Sequence, residues 1–205
     1  MRSRIIKILL LLVIFSCGGG NVLPPEEKAA LEESAEKLTI DGWKYYEEGK
    51  YSEALTKFIE ASKRKPVFLD SFNGLGWTYF ALHILNYSVS NFSFAVSSDS
   101  TFEDALIGLS LASFEINDYQ ESINSIKKAV ELDSLGFVFN GSYKFIHNEK
   151  VNARSVRKIM ALSYYYLGNF IESYNQLKTY LKPQVSLDIN SPDFPRLLLI
   201  ELEEL

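Results

Sequence analysis

The amino-acid sequence predicts an all-α solenoid of about four helix pairs that ends in a capping helix. Two observations support this fold class. A pattern of small, aromatic and turn residues recurs every 34 residues, and each copy divides into two segments with helical spacing of apolar residues. The clearest copy spans residues 42–66. Because each pair of helices leaves an apolar face uncovered, neighbouring pairs must stack on one another.

The repeating register contains no insertion or deletion over the first three copies. Its turn position holds Gly49, His83 and Asn117, which are residue types that tolerate a left-handed backbone. Larger residues alternate with small ones where two helices meet, as close packing requires. The small contact sites hold Gly42, Gly76 and Ser110 in the first helices, and Ala54, Ser88, Ser122, Ala61, Ala95 and Ala129 in the second helices.

A fourth copy begins at Arg154, after an insertion of residues 137–153. Residues 137–145 place alternating apolar side chains around Asn140-Gly141, a dipeptide that favours a two-residue hairpin turn. The insertion therefore forms either a short β-hairpin or an irregular loop, and a hairpin would need to pack on the helices because it is marginally stable alone. It either carries function or only lengthens a connection.

The array is predicted to end after the fourth copy. Tyr180 stands where the earlier copies have alanine, and a bulky residue there would block the stacking of another identical pair. In the last segment, residues 184–205, a linker precedes Ser191–Pro195, which can start a helix that extends to Leu205. This helix either caps the last open face or forms a detachable segment that occupies the groove or a partner.

The repeated residues resemble those of tetratricopeptide-repeat (TPR) proteins. The resemblance covers about residues 35–183; it is specific in the first copy and looser in the second and third. With the preceding helix it assigns residues 25–183 to a TPR array. The resemblance implies that the first helix of each pair lines a concave groove.

Two columns of apolar and aromatic residues are predicted to line this groove. They hold Trp43, Trp77, Leu111 and Leu162, and one helical turn further Tyr46, Phe80, Phe114 and Tyr165, with Lys158 as the only base among the inward columns. Three interpretations remain open. A peptide or helix of a partner protein binds there with the aromatic residues as anchors. Alternatively, the columns are core in a tightly curled array or beneath the carboxy-terminal helix, or they bind a sugar or lipid.

The first 24 residues are predicted to be a targeting signal and a tether. Three basic residues precede an apolar run that is too short to span a membrane, and residues 14–18 resemble the cleavage box of bacterial lipoproteins. This resemblance implies a signal peptide at residues 1–16, a lipid such as palmitate on Cys17, and a flexible tether at residues 17–24. In an organism with two membranes, Gly18 rather than aspartate after the cysteine resembles the pattern for outer-membrane sorting. The alternative is an ordinary secretory peptide with a chance cysteine.

The composition argues against several classes of function. The net charge is −5, so the chain lacks the basic surface that nucleic acid requires. Cys17 is the only cysteine, and His147 has no second ligand at metal-binding spacing. No phosphate-binding loop or Ser–His–Asp pattern is present. We therefore expect a protein without enzymatic activity, cofactor or metal.

Together the two resemblances predict a membrane-anchored adaptor or scaffold of the bacterial cell envelope that binds another protein in the groove. Small repeat lipoproteins of outer-membrane-protein assembly and of type IV pilus secretin assembly combine a similar fold and anchor, so this expectation rests on analogy. The alternative is a periplasmic or surface carrier that binds a sugar or lipid in the groove.

Overall fold

A computed structural model describes residues 24–132 and 143–205 of the chain. Within these residues the regular structure is helical, apart from a single β-bridge between Lys144 and Asn152. The signal peptide, Cys17 and most of the predicted hairpin lie outside the described residues. No helix in the described part is both long and apolar enough to cross a membrane.

The helices of the described ranges form four antiparallel pairs, stacked in chain order. The first helices are α1 (Pro25–Glu47), α3 (Leu69–Ala81), α5 (Glu103–Glu115) and α7 (Ala153–Tyr166). The second helices are α2 (Tyr51–Arg64), α4 (Leu85–Ser98), α6 (Tyr119–Leu132) and α8 (Phe170–Gln176). Each first helix also packs on the next first helix, so these four helices form one continuous layer. The predicted α-solenoid is confirmed.

The residues predicted to form the turns have the left-handed backbone. The φ angle is 72° at Gly49, 56° at His83, 64° at Asn117 and 76° at Gly168. This conformation ends the first helix of each pair and lets the chain reverse into the second. The structural role expected for His83 is therefore confirmed.

Glycines let a phenylalanine ring lie between consecutive pairs. The fully buried ring of Phe58 on α2 packs against Gly42 of its own pair and Gly74 of the next pair. A Cβ atom added at Gly42 or Gly74 would lie 2.7 or 2.3 Å from this ring. The following pair repeats the arrangement. The absence of a side chain on the first helices thus sets how closely the pairs stack.

The fourth pair ends in a π-helical turn, Leu177–Leu181, in which the Lys182 N–H donates to the Leu177 carbonyl at 2.8 Å. A π-turn adds one residue to the helical register. Leu181 is consequently buried, whereas Tyr180 is 42% exposed. The prediction that Tyr180 fills the small contact site is wrong, because the register shifts before this residue.

Helix α9 (Phe194–Glu203) covers the end of the array. Its Leu198 and Leu202 are fully buried against α7 and α8. Lys182, which follows the π-turn, forms an ion pair with Glu201 of α9. The position of α9 agrees with a capping helix, and the cluster it forms also contacts Leu162 and Tyr165 of the predicted groove.

Candidate functional site

The inserted segment, Tyr143–Val151, lies on the layer of first helices. Its Phe145 is fully buried, and the ring stacks on Trp77 of α3 with centroids 4.4 Å apart. The same ring meets Trp43 of α1 edge-on at 5.8 Å. The amino-terminal half of the predicted groove is therefore filled by a segment of the same chain.

Polar and stacking contacts fix Tyr143, at the start of this segment, and His147, at its middle. The Tyr143 hydroxyl donates to Asp104 Oδ1 of α5 at 2.9 Å. The His147 ring stacks on Trp43, with centroids 3.9 Å apart and planes 2° from parallel. His147 Nδ1 lies 2.7 Å from Glu47 Oε1, and because a carboxylate only accepts, Nδ1 carries the proton of this contact. Three first helices thus hold the segment.

Hydrogen bonds within the segment define its shape. The Phe145 N–H donates to the Val151 carbonyl, and the Ala153 N–H donates to the Tyr143 carbonyl, each at 2.9 Å. Asn152 then caps α7, since its side chain accepts from the backbone of Ser155 while the Ser155 hydroxyl accepts from the Asn152 N–H. Over the residues that are described, the segment is therefore a loop closed by the β-bridge between Lys144 and Asn152.

Burial under the inserted segment changes the proton affinity of nearby acids. Burial raises the pKa of Asp70, although both of its carboxylate oxygens accept from Trp43 Nε1 at 3.2 Å. Burial likewise raises the pKa of Asp104 against the opposing hydrogen bond from Tyr143. It also raises the pKa of Tyr46 to about 12, with a hydrogen bond to Asn148 acting in the opposite direction. These groups lie in a partly desolvated interface rather than in an open groove.

The nine residues predicted to line the groove fall into two groups. Buried are Trp43, Tyr46, Trp77 and Leu111. Half-buried are Phe80, Phe114, Lys158, Leu162 and Tyr165. The half-buried group comes from α3, α5 and α7. Leu162 and Tyr165 pack partly against the cluster that contains α9, and Lys158 lines a cleft with Leu205, so the carboxy-terminal half of the groove is only partly covered.

The occupant of the amino-terminal half of the groove is the insertion and not the carboxy-terminal helix, which the sequence offered for this role. One signal was present, because Tyr143, Phe145 and His147 are spaced two residues apart and would share one face of an extended chain. Among the described residues, no group of three or more His, Cys, Asp or Glu side chains is arranged to hold a metal ion.

Solved TPR structures share this fold. MamA MSR-1 matches with a TM-score of 0.58 and 16% identity, over 83% of this chain and 86% of that chain. The TPR2B domain of yeast Sti1, in a complex with pHsp70, matches with a TM-score of 0.54 and 19% identity, over 64% and 96%. The first TPR domain of Spaghetti (RPAP3), bound to an HSP90 peptide, matches with a TM-score of 0.50 and 23% identity, over 52% and 84%.

These likenesses establish a TPR fold for the chain. No protein-family model matches the sequence, nor does any curated protein.

Proposed function

We propose that the mature protein is a lipid-anchored adaptor of the bacterial cell envelope whose TPR array binds another protein. The observation that carries this proposal is the open half of the groove. It exposes part of Phe114, Leu162 and Tyr165, with Lys158 beside them. Partly exposed aromatic residues on a rigid concave face are suited to anchor a partner.

The inserted segment divides the groove into a fixed part and a binding part. Trp43 and Trp77 hold the segment and do not touch the partner, because Phe145 and His147 already cover their rings. The partner lies on the carboxy-terminal half, beside this segment. Yeast Sti1 and Spaghetti, whose TPR domains have the same fold, are complexed with pHsp70 and with an HSP90 peptide respectively.

The anchor in this proposal is a lipid on Cys17, and the membrane is the outer membrane. Support comes from the sequence alone. Cys17 is the only cysteine, a single serine separates it from the apolar run, and three glycines after it provide a flexible tether. Several acyl chains on one residue would give stable membrane attachment, since burial contributes ~0.8 kcal/mol per CH₂ group.

A role as a carrier that binds a sugar in the groove is the less favoured alternative. Sugars commonly bind by stacking on aromatic faces, and the faces of Trp43 and Trp77 are stacked with His147 and Phe145 of the same chain. The groove therefore offers fewer ring faces than the sequence pattern predicted.

The proposal can be tested by photocrosslinking in the native cells. A photoreactive residue in place of Lys158, in the open half of the groove, is expected to give a discrete protein adduct in the membrane fraction. The matched control places the same residue at Ile40 of α1, which is 68% exposed, and is expected to give none. Cys17→Ala should move both the protein and its adduct to the soluble fraction.

Two results would contradict the proposal. If the photoreactive residue at position 158 gives no adduct in cells where the protein is folded and abundant, the groove is not the binding site. If the Cys17→Ala protein stays attached to the membrane, a lipid on Cys17 is not its anchor.

A further inference from the structure

A second surface lies at the edge of the array where the helix pairs turn. This turn surface consists of residues 81–87, 115–121 and 166–172. They are equivalent segments of the second, third and fourth pairs. These segments share one edge because α3, α5 and α7 are neighbours in a single layer. Six large apolar side chains on it are 37% to 62% exposed, namely Ile84, Tyr87, Ile116, Tyr166, Leu167 and Ile171.

Aromatic rings join the third and fourth pairs on this surface. Tyr119 and Tyr166 stack with centroids 5.0 Å apart and planes at 21°. Phe114, at the edge of the open half of the groove, contacts both rings at 5.6 and 6.2 Å. The tyrosines form a continuous platform between repeats, although each one belongs to a separate turn.

An open cleft of about 450 Å³ adjoins the platform. It is lined on one side by Phe170 and Ile171 of the turn surface, and on the other by Ile189 and Pro192 before α9. Its volume is sufficient for an apolar side chain. The turn surface therefore offers both a flat aromatic area and a depression that could hold an anchor residue.

The charges on the turn surface have one sign. Its three segments contain four acidic residues, Glu115, Asp118, Glu121 and Glu172, and no lysine or arginine. The equivalent turn of the first pair differs, because Lys50 there forms an ion pair with Glu48 at 2.7 Å. Acidic side chains around exposed tyrosine rings attract cations by Coulomb interaction and by cation–π contact.

We propose that the turn surface binds a positively charged, amphipathic segment of a partner protein. Apolar side chains of this segment pack on Tyr119, Tyr166 and the cleft, while its lysines or arginines pair with the surrounding carboxylates. The negative charge of the turn surface favours this occupant over two others. A second copy of this chain, with a net charge of −5, would place acids against acids, and an anionic lipid surface would repel them. This binding site meets the groove at Phe114, but it does not depend on the function proposed for the groove.

The test uses a short leucine–lysine peptide with helical amphipathic spacing and the full-length protein isolated from cells. The turn variant Glu115→Lys/Asp118→Lys/Glu172→Lys is compared with a control that reverses Glu33, Glu131 and Glu203 to lysine. Both variants have the same net charge, and all six residues are exposed. Fluorescence anisotropy at physiological salt should show a Kd at least about tenfold higher for the turn variant than for the control, a difference of ~1.4 kcal/mol.

A neutral variant keeps the test independent of charge reversal. Tyr166→Ala removes half of the stacked platform at an exposed position, so it should weaken peptide binding while circular dichroism shows unchanged helical content.

Three results would overturn the proposal. Equal weakening in the turn and control variants would show non-specific attraction to an acidic protein. A dimer in sedimentation that only the turn variant loses would assign the surface to a second copy. With Cys17→Ala as the background, so that no lipid anchor is present, binding to phosphatidylglycerol vesicles that Tyr166→Ala abolishes would assign it to lipid.

Discussion

Replacing Phe145 by alanine is expected to lower the free energy of unfolding by about 3–5 kcal/mol, the usual cost of truncating a fully buried phenylalanine. The ring has no exposed surface and lies between Trp43 and Trp77. Its removal would leave a cavity between the inserted segment and two first helices. Those helices are held apart by their own packing, so they cannot collapse into the space.

Chemical denaturation followed by circular dichroism measures this loss. The neighbouring substitution Ile146→Ala is the control, because Ile146 is 78% exposed and should change stability by less than about 0.5 kcal/mol. A loss below about 1 kcal/mol for Phe145→Ala would mean that the segment contributes little to the fold. In that case the groove would be available to a partner along its whole length.

Gly108→Ala is expected to destabilise the protein, although the same change at an open helical position stabilises by about 1 kcal/mol. A Cβ atom at Gly108 would lie 2.3 Å from the ring of Phe92, and Phe92 is fully buried. Because the ring is also packed against Gly76 on its own pair, it cannot move aside easily. Overpacking of this kind costs about 1–3 kcal/mol.

A double-mutant cycle separates this clash from other effects. Phe92→Leu alone should be destabilising, but the combination of Gly108→Ala with Phe92→Leu should cost less than the sum of the two single changes, because a smaller side chain makes room for the new methyl group. Thermal unfolding of the four proteins gives the coupling free energy. Additive losses, or a single Gly108→Ala variant more stable than the wild type, would contradict the packing described for consecutive pairs.

Local periodic features of the fold were predictable from the sequence. The turn positions and the order of helix pairs follow from the 34-residue repeat, since each depends on residues that are close in the chain. Gly42 was identified as a contact site for the same reason. Gly74 and Gly108 were not, although they are also 34 residues apart, because each packs on a ring of the preceding pair. Packing between repeats has a weaker sequence signal than packing within one.

The exceptions to the repeat were less predictable. The π-turn at Leu177–Leu181 changes the register by one residue, and it contains no glycine or proline. The inserted segment reaches its place through contacts far apart in the chain, such as His147 with Glu47 and Tyr143 with Asp104. Periodicity reports which face of a helix is apolar, but it does not say what covers that face.

The predicted groove illustrates this limit. All nine residues belong to first helices or their last turns, as the repeat pattern indicated. The inserted segment covers Trp43 and Trp77, whereas Lys158 and Leu162 on α7 are half-buried. The apolar and aromatic character of the two columns was therefore predictable from the sequence. Their division into a filled half and an open half is visible only in the structure.

The inserted segment occupies the amino-terminal half of the groove, and nuclear Overhauser spectroscopy can detect it there through short distances between aromatic rings. The chain has two tryptophans, so their indole signals can be assigned by single substitution. Cross-peaks are expected between the Trp77 indole and the Phe145 ring, and between the Trp43 indole and the His147 ring. A folded, helical protein that lacks both sets of cross-peaks would contradict the claim.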